Sequence, residues 1–112
     1  MIIRTFNEER HLPGLLQSLD EQSYRDFEIV VVDSGSLDRT REIAGARADK
    51  LLRIHSSDFT FGFSLNVGIE AAVGEFVVIV SAHTLAVGDT WLSALVEPLS
   101  DEQTAMVYGR QL

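Results

Sequence analysis

Ile29-Val30-Val31-Val32-Asp33-Ser34-Gly35-Ser36-Leu37-Asp38-Arg39-Thr40 decides the fold of this chain. Four apolar residues run into a carboxylate, then a small flexible turn, then residues able to start a helix. A strand that is apolar on both faces marks a parallel sheet sandwiched between helices. An Asp at the carboxyl end of such a strand faces the crevice in which open α/β sheets bind their ligands. There Asp33 can accept hydrogen bonds from a nucleobase or a ribose. The competing reading is a turn followed by a helix cap, which accounts for Ser36, Asp38 and Thr40 and accounts less well for Asp33. No G-x-G-x-x-G accompanies the turn, so the stretch is not a dinucleotide fingerprint.

The same alternation extends to both sides. Met1–Thr5 reads as a strand. Glu9–Glu21 reads as an amphipathic helix, with Leu12, Leu15, Leu16 and Leu19 on one face and Pro13 in its first turn. A strand over Glu28–Asp33 is followed by a helix over Leu37–Arg47, capped by Ser36 or Asp38. Leu51–His55 predicts a strand and Ser56–Thr60 a loop. Phe61–Val73 predicts a helix with Phe63, Val67 and Ala71 on one face and Gly74 as its stop, and with Phe59, Phe61 and Phe63 mostly in the core. Phe76–Ser81 predicts a strand apolar on both faces, Thr90–Leu99 a helix with Trp91, Leu92, Leu95 and Leu99 inward, and Ala105–Tyr108 a last strand. The pattern is one α/β domain over residues 1–112, a mostly parallel sheet flanked by helices.

The composition of the 112 residues, 46% hydrophobic, suits a single core. The net charge of −8 is uneven, with seven acids against one base, Arg110, after residue 56. That disfavours a nucleic-acid or anionic-membrane surface, because both need clustered bases. An anion can still be held locally, through Arg4, backbone N–H groups or a metal ion. Cysteine is absent, which excludes disulfides and thiolate metal sites and suits a cytoplasmic protein. The longest apolar run, Phe76–Val80, is far too short to span a membrane. The chain opens on a strand already under way and ends, at Val107-Tyr108-Gly109-Arg110-Gln111-Leu112, without a closing element. A piece of a larger protein is expected.

Three further stretches carry candidate chemistry. In Arg4-Thr5-Phe6-Asn7-Glu8-Glu9, Phe6 can stack on a base while Asn7 and Glu8 reach its edge or the ribose. Alternatively Asn7 caps the first helix and the two glutamates favour its positive end. Phe59-Thr60-Phe61-Gly62-Phe63-Ser64-Leu65-Asn66-Val67-Gly68 either brings backbone close to a ligand or packs a helix tightly through glycine. In Ser81-Ala82-His83-Thr84, His83 shares the crevice with Asp33, although a lone His with no second His at ligand spacing is more often structural.

Taken in order, R-T-F-N-E-E, I-V-V-V-D-S-G-S-L-D-R-T, S-L-N-V-G-I-E-A-A-V-G-E-F and a strand ending in a short polar triplet resemble the inverting family 2 glycosyltransferases. Their fold is GT-A, a Rossmann-like nucleotide-sugar-binding sandwich. The phenylalanine-glycine segment before Asn66 and the Val107–Gln111 ending are similar to the rhamnosyltransferase-like branch. The resemblance implies that Thr5, Phe6, Asn7 and Glu8 border the nucleotide and that Asp33, with Ser34 and Gly35 beside it, contacts the base. Asn66 and Gly68 would lie by the diphosphate-sugar. The family's D-x-D metal motif falls on Ser81-Ala82-His83, where neither carboxylate is present. The divalent ion of the family, Mn²⁺ or Mg²⁺, thus loses its usual ligands, and His83 remains as the residue able to ligate, with imidazole favouring Mn²⁺ over Mg²⁺.

The resemblance also implies a carboxylate base beyond Leu112, together with the part of the site that binds a saccharide or lipid-linked acceptor. This chain would then bind a nucleoside-diphosphate sugar and turn over little by itself. The full protein would work in polysaccharide biosynthesis, in the cytoplasm or associated with a membrane. The alternative is a non-catalytic, degenerate module of the same fold. An unrelated dinucleotide-binding domain is weaker, because the glycine fingerprint is missing.

Overall fold

The computed structural model describes residues 1–110. Its sheet has four strands: β1 (Ile2–Thr5), β2 (Val30–Asp33), β3 (Lys50–Arg53) and β4 (Ile79–Ser81). They lie in the order β3-β2-β1-β4, and every pairing is parallel. The helices are α1 (Leu12–Asp20), α2 (Thr40–Arg47), α3 (Phe61–Ala71) and α4 (Trp91–Val96), with short 3₁₀ turns at Ser56–Asp58 and Glu97–Ser100. The chain steps from β1 outward to β2 and β3, then crosses back to place β4 on the other side of β1. That reversal opens a crevice at the carboxyl ends of β1 and β4, the place where doubly wound sheets take ligands.

Strand alternation sorts the core into two layers. Ile3 and Val31 point to one side, against Leu12, Leu15 and Leu19 of α1, Ala44 of α2 and Leu92 and Val96 of α4. Ile2, Val30 and Val32 point to the other, against Leu65, Val67 and Ala71 of α3. The four leucines of α1 are all buried and Pro13 sits in its first turn, as the spacing predicts. Burying each such side chain contributes about 1.5–3 kcal/mol, so the two layers supply the main stabilisation. α3 reaches the sheet through its small residues, Ser64 and Gly68, which are the buried positions on it. A Cβ on Gly68 would lie 2.7 Å from Ile2 Cγ2 and 3.1 Å from Val32 Cγ2, so helix and sheet touch there with no space for a side chain.

Several boundaries differ from the sequence expectation, each for a physical reason. α2 starts at Thr40 rather than Leu37, which is 90% exposed, because side-chain hydrogen bonds hold residues 33–40 as a loop. Neither Ser36 nor Asp38 is the N-cap residue of α2, which is Arg39. α1 is preceded by His11, so Asn7 does not cap it. α3 ends at Ala71 in an extended Ala72, without a glycine stop at Gly74. Phe59, Phe61 and Phe63 are not core: they are 38%, 67% and 46% exposed, because α3 lies close to the sheet through its small residues and leaves the rings at its rim. The strand expected over Phe76–Ser81 contracts to three residues, and Ile79 is 51% exposed on a β4 that, among the described residues, pairs with β1 alone. Thr90–Leu99 divides into α4 and a 3₁₀ turn where Pro98 removes a donor. Ala105–Tyr108 forms no strand, since no described strand pairs with it, and Met106 and Tyr108 are exposed. Of the expected ending, Gln111 and Leu112 lie outside the described residues.

Candidate functional site

The carboxyl ends of β1 and β2 are tied together around Asp33. Its side chain is fully buried. Oδ1 accepts from the Thr5 hydroxyl at 2.9 Å and the Ser36 hydroxyl at 2.5 Å. Oδ2 accepts from the backbone N–H of Ser36 at 2.9 Å and of Gly35 at 3.2 Å. Gly35 takes a φ of +94°, which glycine alone adopts without strain, and so lets the turn fold back onto the carboxylate. Asp33, the residue expected to touch a base, therefore directs all of its acceptor capacity inward. What it presents to the crevice is the loop that it shapes.

A second layer of side chains locks the β1 loop onto the β2 loop. Asn7, at a φ of +52°, accepts from Leu37 N–H through Oδ1 at 2.8 Å, and its own N–H donates to Ser36 Oγ at 2.9 Å. The Glu8 N–H donates to Thr40 Oγ1 at 2.7 Å, and the Glu9 N–H to Asp38 Oδ2 at 3.2 Å. Desolvation works against the Asp38 carboxylate, but the Thr40 hydroxyl and N–H and the Glu9 N–H outweigh it and hold its pKa below the ordinary value. Ser36, Asp38 and Thr40 thus serve as loop cross-links more than as a helix cap. The sequence carried these residues, but not the pairing between two loops 30 residues apart.

Beside this scaffold lies a cleft of about 150 Å³, lined by Phe6, Ser34, Ser56 and Phe59. Its walls are two half-exposed aromatic rings and two serines, and such rings can stack on a flat heterocycle. Ser34 is buried with its N–H on the Thr5 carbonyl at 3.0 Å, so its position is fixed by the β1–β2 seam. Ser56 was not among the sequence candidates, and Phe59 opened a candidate stretch but read as core. They come from the turn after β3, and only the order of the strands brings that turn to β1.

On the β4 side, the exposed His83 ring sits 3.4 Å from Glu8 Oε1 and 3.2 Å from Ser81 Oγ. Ala82, between them, is buried in the core, so its side chain does not reach the crevice. One carboxylate and one imidazole are brought together, and among the described residues no three His, Asp or Glu side chains form a metal-holding group. Two protein donors would leave the rest of a divalent ion's coordination shell to substrate oxygens or water. Gly68 also lies away from the crevice. Gly68 packs on Ile2 at the amino end of β1, about 10 Å down the strand from Thr5, and Asn66 is exposed on α3.

Comparison with known proteins adds to this geometry. The family model described as "Glycosyl transferase family 2" matches residues 1–112, the whole chain. The chain belongs to glycosyl transferase family 2. A glycosyltransferase of Haemophilus influenzae is 31% identical over 114 residues, covering 95% of this chain and 34% of its own length. A PGL/p-HBAD biosynthesis glycosyltransferase of Mycobacterium bovis is 34% identical, covering 97% of this chain and 44% of its own. Among solved structures, a mannosyltransferase from Pyrobaculum calidifontis in complex with GDP-Man and Mn²⁺ superposes with a TM-score of 0.78 at 30% identity, covering 89% of this chain and 31% of that one. S. aureus TarS 1–349 in complex with UDP-GlcNAc superposes with a TM-score of 0.73 at 26% identity, covering 99% and 35%. The four-stranded parallel sheet with its flanking helices is the GT-A, Rossmann-like fold of these family 2 relatives. The chain spans between about a third and a half of the length of the curated relatives it matches. No helix of the described residues is long and apolar enough to cross a membrane.

Proposed function

We propose that this chain forms the donor-binding part of a glycosyltransferase, which takes a nucleoside-diphosphate sugar and passes the sugar to an acceptor with inversion. The observation that carries the reading is the cleft of Phe6, Ser34, Ser56 and Phe59 at the carboxyl edge of the sheet. The base lies between the two rings, and the Asp33-centred seam keeps Ser34 and Phe6 in place for it. The ribose and diphosphate run toward β4, where Glu8, Ser81 and His83 meet. A carboxylate beyond Leu112 removes the acceptor's proton; the acceptor oxygen then bonds to the anomeric carbon as the bond to the diphosphate oxygen breaks. The nucleoside diphosphate leaves with that electron pair. The acceptor is a saccharide or a lipid-linked saccharide, the branch is rhamnosyltransferase-like, and the full protein works in the cytoplasm or at its membrane. The chain alone binds donor without turnover.

Calorimetric titration with uridine, thymidine, guanosine and adenosine diphosphates tests this, with Mn²⁺, Mg²⁺ or chelator present. Base-selective binding that is lost in Phe59→Ala and Phe6→Ala supports the reading. Absence of binding to every nucleotide by a folded chain overturns it. One observation favours a second reading: Ser81-Ala82-His83 has no carboxylate, and the His83–Glu8 pair does not complete a metal cage. A non-catalytic module of the same fold would show no nucleotide preference and no response to Mn²⁺, in the chain and in the full protein alike.

A further inference from the structure

Among the described residues Arg4 is a cation with no anion paired to it. It sits on β1 one residue before Thr5, and its guanidinium carbon lies 4.6 Å from the centroid of the Phe61 ring. Nε and Nη1 are buried and have no hydrogen-bond partner among the described residues. Such unpaired donors are rare in folded proteins and costly when they belong to a charged group. The carboxylates nearby are committed elsewhere. Asp33 is in register with Thr5, on the opposite face of the sheet from Arg4, and is fully occupied. Glu8 faces His83. Arg4 shares its own face with Ser81, its register partner on β4, and Ser81 Oγ touches His83.

We infer that Arg4 is a phosphate-binding residue that receives the diphosphate of a nucleotide held in the Phe6–Phe59 cleft. The inference rests on the donor-site reading. Phe59, which lines the cleft, packs edge-to-face on Phe61 with centroids 5.2 Å apart, and Phe61 covers Arg4. Two ring contacts in series thus lead from the base cleft to the guanidinium, a path of the same order as the span from base to diphosphate in a nucleotide. Guanidinium presents a planar fork of donors that matches phosphate oxygens, and a charge-assisted pair of that kind is stronger than a cation resting on a phenyl ring. Phe61 is exposed at the first position of α3, so its ring can move aside while the helix stays packed. Arg4 therefore supplies positive charge to the leaving diphosphate from the chain itself, at the edge where the residues matching the family's metal motif carry no carboxylate.

The test is calorimetric titration of the chain, Arg4→Gln and Phe61→Ala with uridine and UDP, guanosine and GDP, and inorganic pyrophosphate, each variant checked by circular dichroism. In Arg4→Gln the affinity for the diphosphate is expected to fall at least ten-fold while that for the nucleoside is unchanged. In Phe61→Ala, which keeps Arg4 and removes a surface ring, pyrophosphate is expected to bind several-fold more tightly. An Arg4→Gln chain with the wild-type ratio of diphosphate to nucleoside affinity overturns the inference and leaves the donor site standing. If the wild-type chain binds no nucleotide, the donor reading fails, and pyrophosphate decides Arg4: binding lost in Arg4→Gln sustains an anion site, and no binding overturns it. If Arg4→Gln does not fold, unchanged or weaker pyrophosphate binding by Phe61→Ala is the overturning result.

Discussion

Replacing Gly68 by alanine tests how closely α3 is held to the sheet. The added Cβ would stand 2.7 Å from Ile2 Cγ2, 3.1 Å from Val32 Cγ2 and 3.4 Å from Ile2 Cδ1. Carbon atoms prefer separations of about 3.5–4 Å, so the helix has to lift by roughly 1 Å or the strand has to yield. The strand cannot, because Ile2 is hydrogen-bonded between β2 and β4 and is fully buried. Overpacking of this kind costs about 1–3 kcal/mol. Alanine recovers about 1 kcal/mol of helix propensity over glycine, so the net loss is about 0–2 kcal/mol, centred on 1. For a domain of this size a loss of 1 kcal/mol lowers Tm by roughly 4–8 °C. Gly62→Ala is the internal control. It lies on the same helix with nothing within 4 Å of its Cβ, and it should leave Tm unchanged or slightly raised. Thermal melts followed by circular dichroism give both numbers. A Gly68→Ala chain that melts at or above the wild-type temperature would refute the close contact.

Three other expectations follow from the site and its supports. Asp33→Ala strips the acceptor from two N–H groups and two hydroxyls at once and should cost about 3 kcal/mol in urea unfolding; Asp33→Asn should recover more than half, because the Thr5 and Ser36 hydroxyls can turn to accept from the amide. Equal losses for the two variants would contradict the hub. Thr40→Val keeps the shape but leaves the Glu8 N–H without its acceptor, for an expected loss of about 1–2 kcal/mol; a neutral result would mean that water replaces the hydroxyl. The Val73 N–H, at 2.6 Å, holds the Glu28 carboxylate below its ordinary 4.5, with Lys50 adding to the effect against desolvation. A folded pKa below the unfolded one gives stability that is complete above about pH 4.5 and is lost as pH falls through the folded value. Denaturation curves of wild type and Glu28→Gln should therefore differ at pH 7 and draw together as pH falls below about 4.5, and a gap independent of pH would remove Glu28 from the acid response.

The fold was legible because it is written in local periodicities. Leu12, Leu15, Leu16 and Leu19 announce one face of a helix, and Val30–Asp33 announces a strand covered on both sides. What escaped the sequence is what depends on distance along the chain. Ser56 and Phe59 enter the cleft because β3 lies next to β2, a fact of topology rather than of spacing. Asp33 reads as a ligand contact from its place at the end of a strand, yet its partners include Thr5 and the loop it caps, and they turn it inward. The three phenylalanines read as core from hydrophobicity alone, whereas the small residues at 64 and 68 decide which side of α3 meets the sheet.

The position of β1 bears on how the chain comes into being. Of the four strands of the sheet it comes first in chain order, yet it lies inside the sheet, with Ile2 paired to Val30 on one side and to Ile79 on the other. During synthesis its first neighbour arrives with β2, but its second edge stays open until β4 has left the ribosome. Long-range parallel pairing of this kind is slow to form and leaves unpaired edges exposed in the meantime. Slowing elongation between β2 and β4 should therefore lengthen the time that a half-paired Ile2–Thr5 edge is available to chaperones, and to other nascent chains.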